Sequence, residues 1–339
     1  MAMELPLKPN IEFGIVPTHI KFVGGLVPEN EGKFPREADG RLAMVAEVQR
    51  ILDQSPVAIT SVQLPFFFGA DSADVEELIS SLKSLSLNVH PILMVGGANP
   101  MNPADEDAVV AQLVSGLTIA KNHGLREVSS TSIEEWMNPN ESRREGPDFQ
   151  AAIDQNVKVH QRAIAEAGLD GSSIQTWNIE FLRPGEFKSF TDLGRVWQWV
   201  QAINSALGRK FFKILIDAAH CGDSGLSIAE NQKLIAQIAA AGELGVFHAS
   251  AKTTRGCLST DDGWISSLLA AYAATGELRS VFIEVFHHED PALAGLRDLD
   301  PGHGIDTRDG RSYTQTAIDG LVDVAHRLNN LAARGILKA

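Results

Sequence analysis

Residues 211–217 read FFKILID, and this stretch shows the pattern that decides the fold. A short run of aromatic and β-branched residues, typical of a buried strand, ends in one polar residue before the chain turns into a loop. Three other stretches share the pattern: SSIQTWNIE at 172–180, LGVFH at 244–248 and SVFIE at 280–284. The four terminal polar residues lie 37, 31 and 36 residues apart, which is the length of one strand plus one helix. The spacing therefore indicates a repeated strand–helix unit.

The same alternation runs through the N-terminal half, where strand-like stretches occupy residues 11–20, 57–64, 87–95 and 125–131. Amphipathic segments separate the strands, and several open with Ser, Thr or Asp and end at Gly, as helices do. An open doubly wound sheet also alternates, but neither glycine-rich phosphate-binding motif follows the first strand. Eight strand–helix pairs match a (β/α)₈ barrel. We predict an α/β fold, a single TIM-barrel domain over residues 1–339, with long loops after strands 1, 4 and 8.

Composition limits the partners. The chain of 339 residues carries a formal net charge of −14, which disfavours nucleic acid, since that affinity rests largely on basic residues. The N-terminus has no signal-like pattern, and no apolar run reaches the roughly eighteen residues of a membrane span. We therefore expect a cytoplasmic protein without a membrane partner. Two cysteines imply no disulfide framework. A homo-oligomer is left open, because the sequence shows no interface signature.

The polar residues that end the last four strands predict a metal site. In a closed parallel barrel these strand ends meet on one face, at Glu180, Asp217, His248 and Glu284. Taken singly, each is explained as a solvated side chain or a helix cap. Taken together, three carboxylates and an imidazole aimed at one point require a cation. This oxygen-rich set suits Mn²⁺ first, and also Mg²⁺, Co²⁺ or Fe²⁺, rather than a closed structural zinc site.

Three further polar residues follow these strand ends closely. Glu186 comes six residues after the first of them, His220 three after the second, and Arg255 seven after the third. With these motifs the last four strands resemble the xylose isomerase-like TIM-barrel superfamily, most closely its ketose 3-epimerase and inositol-catabolism branches. The N-terminal half is similar to that superfamily only in its alternation of strands and helices.

The resemblance implies roles for these positions. It implies that the four strand-end residues hold one divalent ion, with Glu180 and Glu284 as catalytic acid and base. It also implies that Glu186, His220 and Arg255 bind substrate. The family arginine normally lies six residues past the ligand histidine, and position 254 here is Thr, so Arg255 is displaced by one residue.

The predicted function is a divalent-metal-dependent sugar isomerase or epimerase that acts on a small-molecule sugar or sugar derivative. It would deprotonate the carbon next to a metal-chelated carbonyl and pass through an enediolate. The alternative is a lyase or dehydratase that uses the same site for β-elimination from a keto-sugar, keto-inositol or 3-keto-glycoside. An endonuclease IV-like phosphodiesterase is a remote alternative, because it expects a histidine-rich multi-zinc site and a basic face. A non-catalytic sugar-binding barrel is disfavoured by the intact acid and base positions.

Several other residues give weaker indications. The pair Glu134 and Glu135 could place one carboxylate at the barrel mouth, although the first turn of a helix is the simpler explanation. Trp136 and Trp177 could form an apolar wall for a sugar, although core packing is the simpler explanation of both. His287, His288 and Glu289 could contribute to a second metal site, although solvated loop residues are the simpler interpretation. His160 is interpreted as a structural residue in a helix.

Overall fold

The computed structural model describes residues 4–17, 32–252, 257–287 and 310–338. Eight parallel strands close into a barrel in chain order, and the last strand pairs with the first. The strands are β1 (Glu12–Val16), β2 (Ser61–Phe66), β3 (Asn88–Leu93), β4 (Glu127–Ser130), β5 (Thr176–Ile179), β6 (Phe212–Asp217), β7 (Leu244–Ser250) and β8 (Ser280–Glu284). The predicted α/β TIM barrel is confirmed.

Helices follow the strands. They are α1 (Ala43–Gln54), α2 (Ser72–Ser84), α3 (Glu106–Asn122), α4 (Gly146–Ala167), α5 (Leu193–Leu207), α6 (Ala218–Asp223), α7 (Ile228–Ala240), α8 (Trp264–Ala274) and α9 (Tyr313–Ala333). Their ends use the predicted chemistry. Ser227 and Glu230 form a capping box at the start of α7, and Gly168 ends α4 in the left-handed conformation.

Two elements differ from the sequence expectation. Strand β2 continues through Pro65 to Phe66, whereas the predicted strand stopped at residue 64. Helix α6 was not predicted, because its six residues are too few to show a helical period. Its N-cap is Asp217, whose carboxylate accepts the backbone N–H of His220 at 2.7 Å. The strand end and the turn that follows it are thereby joined.

The barrel interior is closed by an apolar layer. This layer, distinct from the larger core between strands and helices, consists of Val16, Ile92, Leu215, Val246 and Phe282. Position 14 must be glycine for this packing, because a Cβ atom there would lie 2.2 Å from the Ser61 carbonyl oxygen and 2.9 Å from the Phe282 ring. The ring of Phe282 lies between His90 and His248, so the layer separates the two ends of the barrel.

His90 belongs to the N-terminal end of the barrel. Its Nε2 atom lies 3.1 Å from Glu12 Oε1, and both residues line a polar cavity of about 830 Å³ formed by the starts of the strands. Over the part of the chain that the structure describes, none of the helices has the length and apolar character that a bilayer crossing requires.

His160 on α4 is the centre of a buried hydrogen-bond chain. Its Nδ1–H donates to the Asn156 carbonyl at 2.8 Å, so Nε2 accepts from the Ser132 hydroxyl at 2.8 Å. Ser132 in turn accepts from Ser130, whose oxygen accepts the Trp177 indole N–H. Burial lowers the pKa of His160 to about 4. The predicted structural role of this histidine agrees with these contacts.

The buried neutral imidazole makes stability depend on pH. The unfolded chain protonates His160 below about pH 6.5, whereas the folded chain does so only near pH 4. Stability contributed by the neutral ring is therefore lost as the pH falls from 6.5 to 4, by about 3 kcal/mol. We predict that the difference in unfolding free energy between wild type and His160→Gln shrinks by that amount over this range. Urea titrations at several pH values would measure it.

The exposed His326 on α9 offers a matched control, His326→Gln. Parallel stability curves for wild type and His160→Gln would contradict the prediction.

Candidate metal centre

The carboxyl ends of the last four strands bring the predicted site residues into one buried cluster. Glu180 follows β5 directly, Asp217 ends β6, His248 lies within β7, and Glu284 ends β8. Two groups with ligand atoms within 4.8 Å of one another share Asp217: Glu180, Asp217 and His220, and Asp217, His248 and Glu284. All members of both groups are buried. The structure thus brings these residues together, and their roles stay predictions.

His220 lies closer to the carboxylates than a purely substrate-binding role requires. Its Nδ1 atom is 3.3 Å from Glu180 Oε1, and its Nε2 atom is 3.9 Å from Glu186 Oε2. The first turn of α6 fixes this position, since Asp217 caps that turn. His220 is therefore within reach of the same cation as the strand-end carboxylates, a possibility that the sequence analysis did not include.

The carboxylates and imidazoles of this cluster shift one another's pKa values. Burial would raise the pKa of Glu180, but the His220 and His248 imidazoles outweigh it and hold that pKa well below its usual range. Burial would lower the pKa of His220, but Asp217, Glu180 and Glu186 raise it to about 10. Without a metal, imidazolium groups supply the positive charge that the carboxylates need. A metal ion would bind by displacing a proton.

The His248 ring fits a metal ion in its geometry. Its Nδ1 atom faces Glu180 Oε1 at 3.7 Å and Asp217 Oδ2 at 3.9 Å, and it forms no hydrogen bond within the described part of the chain. A buried nitrogen that faces carboxylate oxygens beyond hydrogen-bond range leaves room for a cation between them. Together with the carboxylates it offers the mixed oxygen and nitrogen donor set of a divalent-metal site.

Gln63 orients this ring, and the sequence analysis missed it. Gln63 Oε1 lies 2.5 Å from His248 Nε2, and Gln63 Nε2 donates to Ser129 Oγ at 2.8 Å. The amide oxygen can only accept, so Nε2 carries a proton, and Nδ1 is the nitrogen that can bind a metal once its own proton leaves. The sequence indicates this role only through the presence of a polar residue, Gln63, inside the otherwise apolar stretch 62–66 of β2.

Glu186 is held by the loop after β4. Trp136 donates its indole N–H to Glu186 Oε1 at 3.1 Å, and the Met137 amide donates to the Glu186 carbonyl at 2.8 Å. Trp136 is 41% exposed and lines the barrel mouth, so core packing was wrong for this residue. Core packing was right for Trp177, which is fully buried.

Glu134 anchors the same loop. Its buried carboxylate accepts hydrogen bonds from the backbone N–H groups of Lys188, Ser189 and Phe190 at 2.7–3.1 Å. The residue lies in a turn, not in the first turn of a helix, so that interpretation was wrong. Its function is to join the loops after β4 and β5, which carry Trp136 and Glu186.

The remaining candidates are placed as follows. Outside the described residues lie Arg255, His288 and Glu289. His287 is buried, not solvated as interpreted from sequence, and its Nε2 atom lies 3.0 Å from the Arg311 carbonyl. Cys221 is buried beside the cluster, and burial raises the pKa of its thiol well above the ordinary value, so it is not a reactive thiolate.

A cavity of about 610 Å³ opens over the cluster at the barrel mouth. Glu180, Glu186, His220 and Glu284 line one side. The other side is formed largely by apolar residues that follow β1–β4. The cluster is thus open to a small molecule.

Comparison with known proteins supports the fold. An L-ribulose 3-epimerase superposes with a TM-score of 0.72 at 14% identity, covering 96% of this chain and 97% of its own. A D-allulose 3-epimerase from Methylomonas sp. gives 0.69 at 17% identity, covering 95% and 99%. The IolI protein, whose structure has a bound zinc atom, gives 0.54 at 10% identity, covering 97% and 100%.

At these identities the likeness shows the fold alone, an eight-stranded α/β barrel. No protein-family model matches the sequence, and no curated protein matches it either.

We predict that Gln63→Met weakens Mn²⁺ binding about 10- to 100-fold, because the ring of His248 loses the acceptor that fixes its tautomer. Isothermal titration calorimetry would measure the affinity. Gln150→Met, which replaces an exposed glutamine on α4, is the control for the substitution itself. Equal Mn²⁺ affinity in wild type and Gln63→Met would contradict this role.

Proposed function

We propose that this protein is a divalent-metal-dependent sugar isomerase or epimerase that removes a proton from the carbon next to a substrate carbonyl. The observation that carries the proposal is the buried cluster of carboxylates and imidazoles at an open barrel mouth. The fold is shared with ketose 3-epimerases, which adds support without deciding the reaction.

Glu180, Asp217, His248 and Glu284 would hold the ion, and Mn²⁺ is the first candidate. When bound, a divalent cation supplies Lewis-acid polarisation of the substrate carbonyl and so acidifies the neighbouring C–H bond. Three carboxylates and one imidazole suit a hard cation that keeps positions open for ligands.

Two glutamates on separate strands would move the proton. Glu180 and Glu284 both line the cavity, so each can reach a bound substrate. One carboxylate would take the proton from carbon, and the other, in its protonated form, would donate its own proton to the resulting enediolate of the substrate. Return to the opposite face of the same carbon gives epimerisation, whereas return to the neighbouring carbon gives isomerisation.

Glu186 and His220 would bind substrate hydroxyls. Both line the cavity, and Trp136 holds Glu186 in place through its indole N–H. Because His220 Nδ1 lies near Glu180, the ring can present its Nε2 side to substrate. Arg255 is proposed as a third substrate-binding residue on the resemblance alone.

A lyase or dehydratase is the second candidate. It would begin with the same deprotonation, and loss of a β-substituent from a keto-sugar, keto-inositol or 3-keto-glycoside would follow. The 610 Å³ cavity favours this candidate, because it has room for a leaving group beside a sugar ring.

We predict that Glu284→Gln lowers the rate of deuterium wash-in next to a substrate carbonyl by about 10²- to 10⁴-fold, since the amide cannot exchange the proton. The assay is NMR of Mn²⁺-loaded protein in D₂O with a panel of ketoses, keto-inositols and 3-keto-glycosides. Loss of a leaving group would identify the lyase.

Asp217→Ala should release Mn²⁺, seen as lost metal content after dialysis, because Asp217 belongs to both ligand groups. Glu127→Gln is the matched control, since that carboxylate lines the N-terminal cavity at the far end of the barrel. If chelator-treated, metal-free protein showed deuterium wash-in at the same rate as the Mn²⁺-loaded protein, the proposed function would be refuted.

A further inference from the structure

The mouth of the barrel has two chemically different halves. The half formed after β5–β8 carries the acidic and imidazole side chains already described, together with Leu182 and Phe286. The half formed after β1–β4 is lined by Val16, Pro17, Pro65, Phe67, Phe68, Ile92, Met94, Val95, Gly96, Gly97, Gln112, Thr131 and Trp136. No charged side chain occurs among these described lining residues. This second set is called the apolar half below.

The apolar half offers few side-chain hydrogen bonds. The amide of Gln112 is already engaged, since its oxygen accepts the Gly96 N–H at 3.0 Å and its nitrogen donates to the Gly96 carbonyl at 3.1 Å. Among the described side chains of this half, Thr131 supplies the hydroxyl group. The hydroxyl groups around the edge of a second sugar ring would need hydrogen-bond partners, and burying them without partners costs free energy. The apolar half therefore suits a group without hydroxyls.

Two aromatic residues mark this half as a contact surface. Phe68 is 60% exposed and Trp136 is 41% exposed, and they are the two large hydrophobic side chains of the described chain that stand in solvent. Both line the same cavity. Aromatic rings exposed together at the rim of a cavity are typical of ligand-binding surfaces.

Trp136 connects the two halves. Its indole N–H donates to Glu186, which lines the acidic half, so its ring is fixed where the two halves meet. The total cavity volume of about 610 Å³ lies within the roughly 300–1,000 Å³ that accommodates drug-sized ligands. A ligand that spans both halves would have a sugar at the carboxylates and a planar apolar group against the aromatic rings.

We propose that the apolar half is a subsite for an aromatic substituent carried by the keto-sugar substrate, so that the substrate is an aryl glycoside rather than a free ketose. This inference rests on the proposed function, because that function places the sugar in the acidic half. Stacking of the aromatic substituent on Phe68 and Trp136 would make an aryl glycoside bind more tightly than a sugar without that substituent.

Binding of two matched probes tests the subsite. Isothermal titration calorimetry with Mn²⁺-loaded protein would compare phenyl β-D-glucopyranoside with methyl β-D-glucopyranoside. We expect the phenyl glycoside to bind about tenfold more tightly. Phe68→Ala should remove most of that preference, whereas Phe68→Tyr, which keeps the ring, should retain it. Because Phe68 is exposed, both variants should keep the wild-type fold, and circular dichroism would check it.

Equal affinity for the two probes in the wild type would overturn the proposal. So would an equal loss of affinity for both probes in Phe68→Ala, because the ring would then pack on the sugar itself. Deuterium wash-in with the 3-keto form of the methyl glucoside separates the two proposals. Wash-in without a phenyl preference overturns the subsite alone, whereas a phenyl preference without wash-in supports the subsite and counts against the proposed chemistry.

Discussion

The compensation of negative charge at the barrel mouth is the constraint on which the site depends. Glu180, Asp217 and Glu284 are buried together, and burial of carboxylates is costly unless positive charge lies beside them. In the metal-free protein that charge comes from protons on His220 and His248, whose pKa values the carboxylates raise. A divalent ion and these protons therefore compete for one location, and metal binding should weaken as the pH falls.

The barrel fixes the positions of the side chains between which the ion and the protons compete. Asp217 serves both as the end of β6 and as the cap of α6, so one residue fixes its own carboxylate and the position of His220. Across the barrel, Gln63 orients His248 although 185 residues separate them in the chain. The apolar layer around Phe282 excludes the N-terminal cavity from the site. Such a cluster would not persist on an open, flexible scaffold.

The sequence predicts the strands and the metal cluster because both depend on local patterns. Apolar runs that end in a polar residue place Glu180, Asp217, His248 and Glu284 once a barrel is assumed. The role of Gln63 depends on the register between distant strands, which no local period encodes. Helix α6 was too short for periodicity, and the buried contacts of Glu134 arise from the folding of two loops against each other. The contacts that irregular loops make cannot be read from periodic patterns in the sequence.

Anomalous diffraction from crystals grown with Mn²⁺ tests the central claim most directly. The account predicts one strong peak among the four strand-end residues, at bonding distances of about 2.0–2.3 Å from carboxylate oxygens and from His248 Nδ1. The absence of a peak at saturating Mn²⁺, or a peak bound away from these carboxylates, would contradict it.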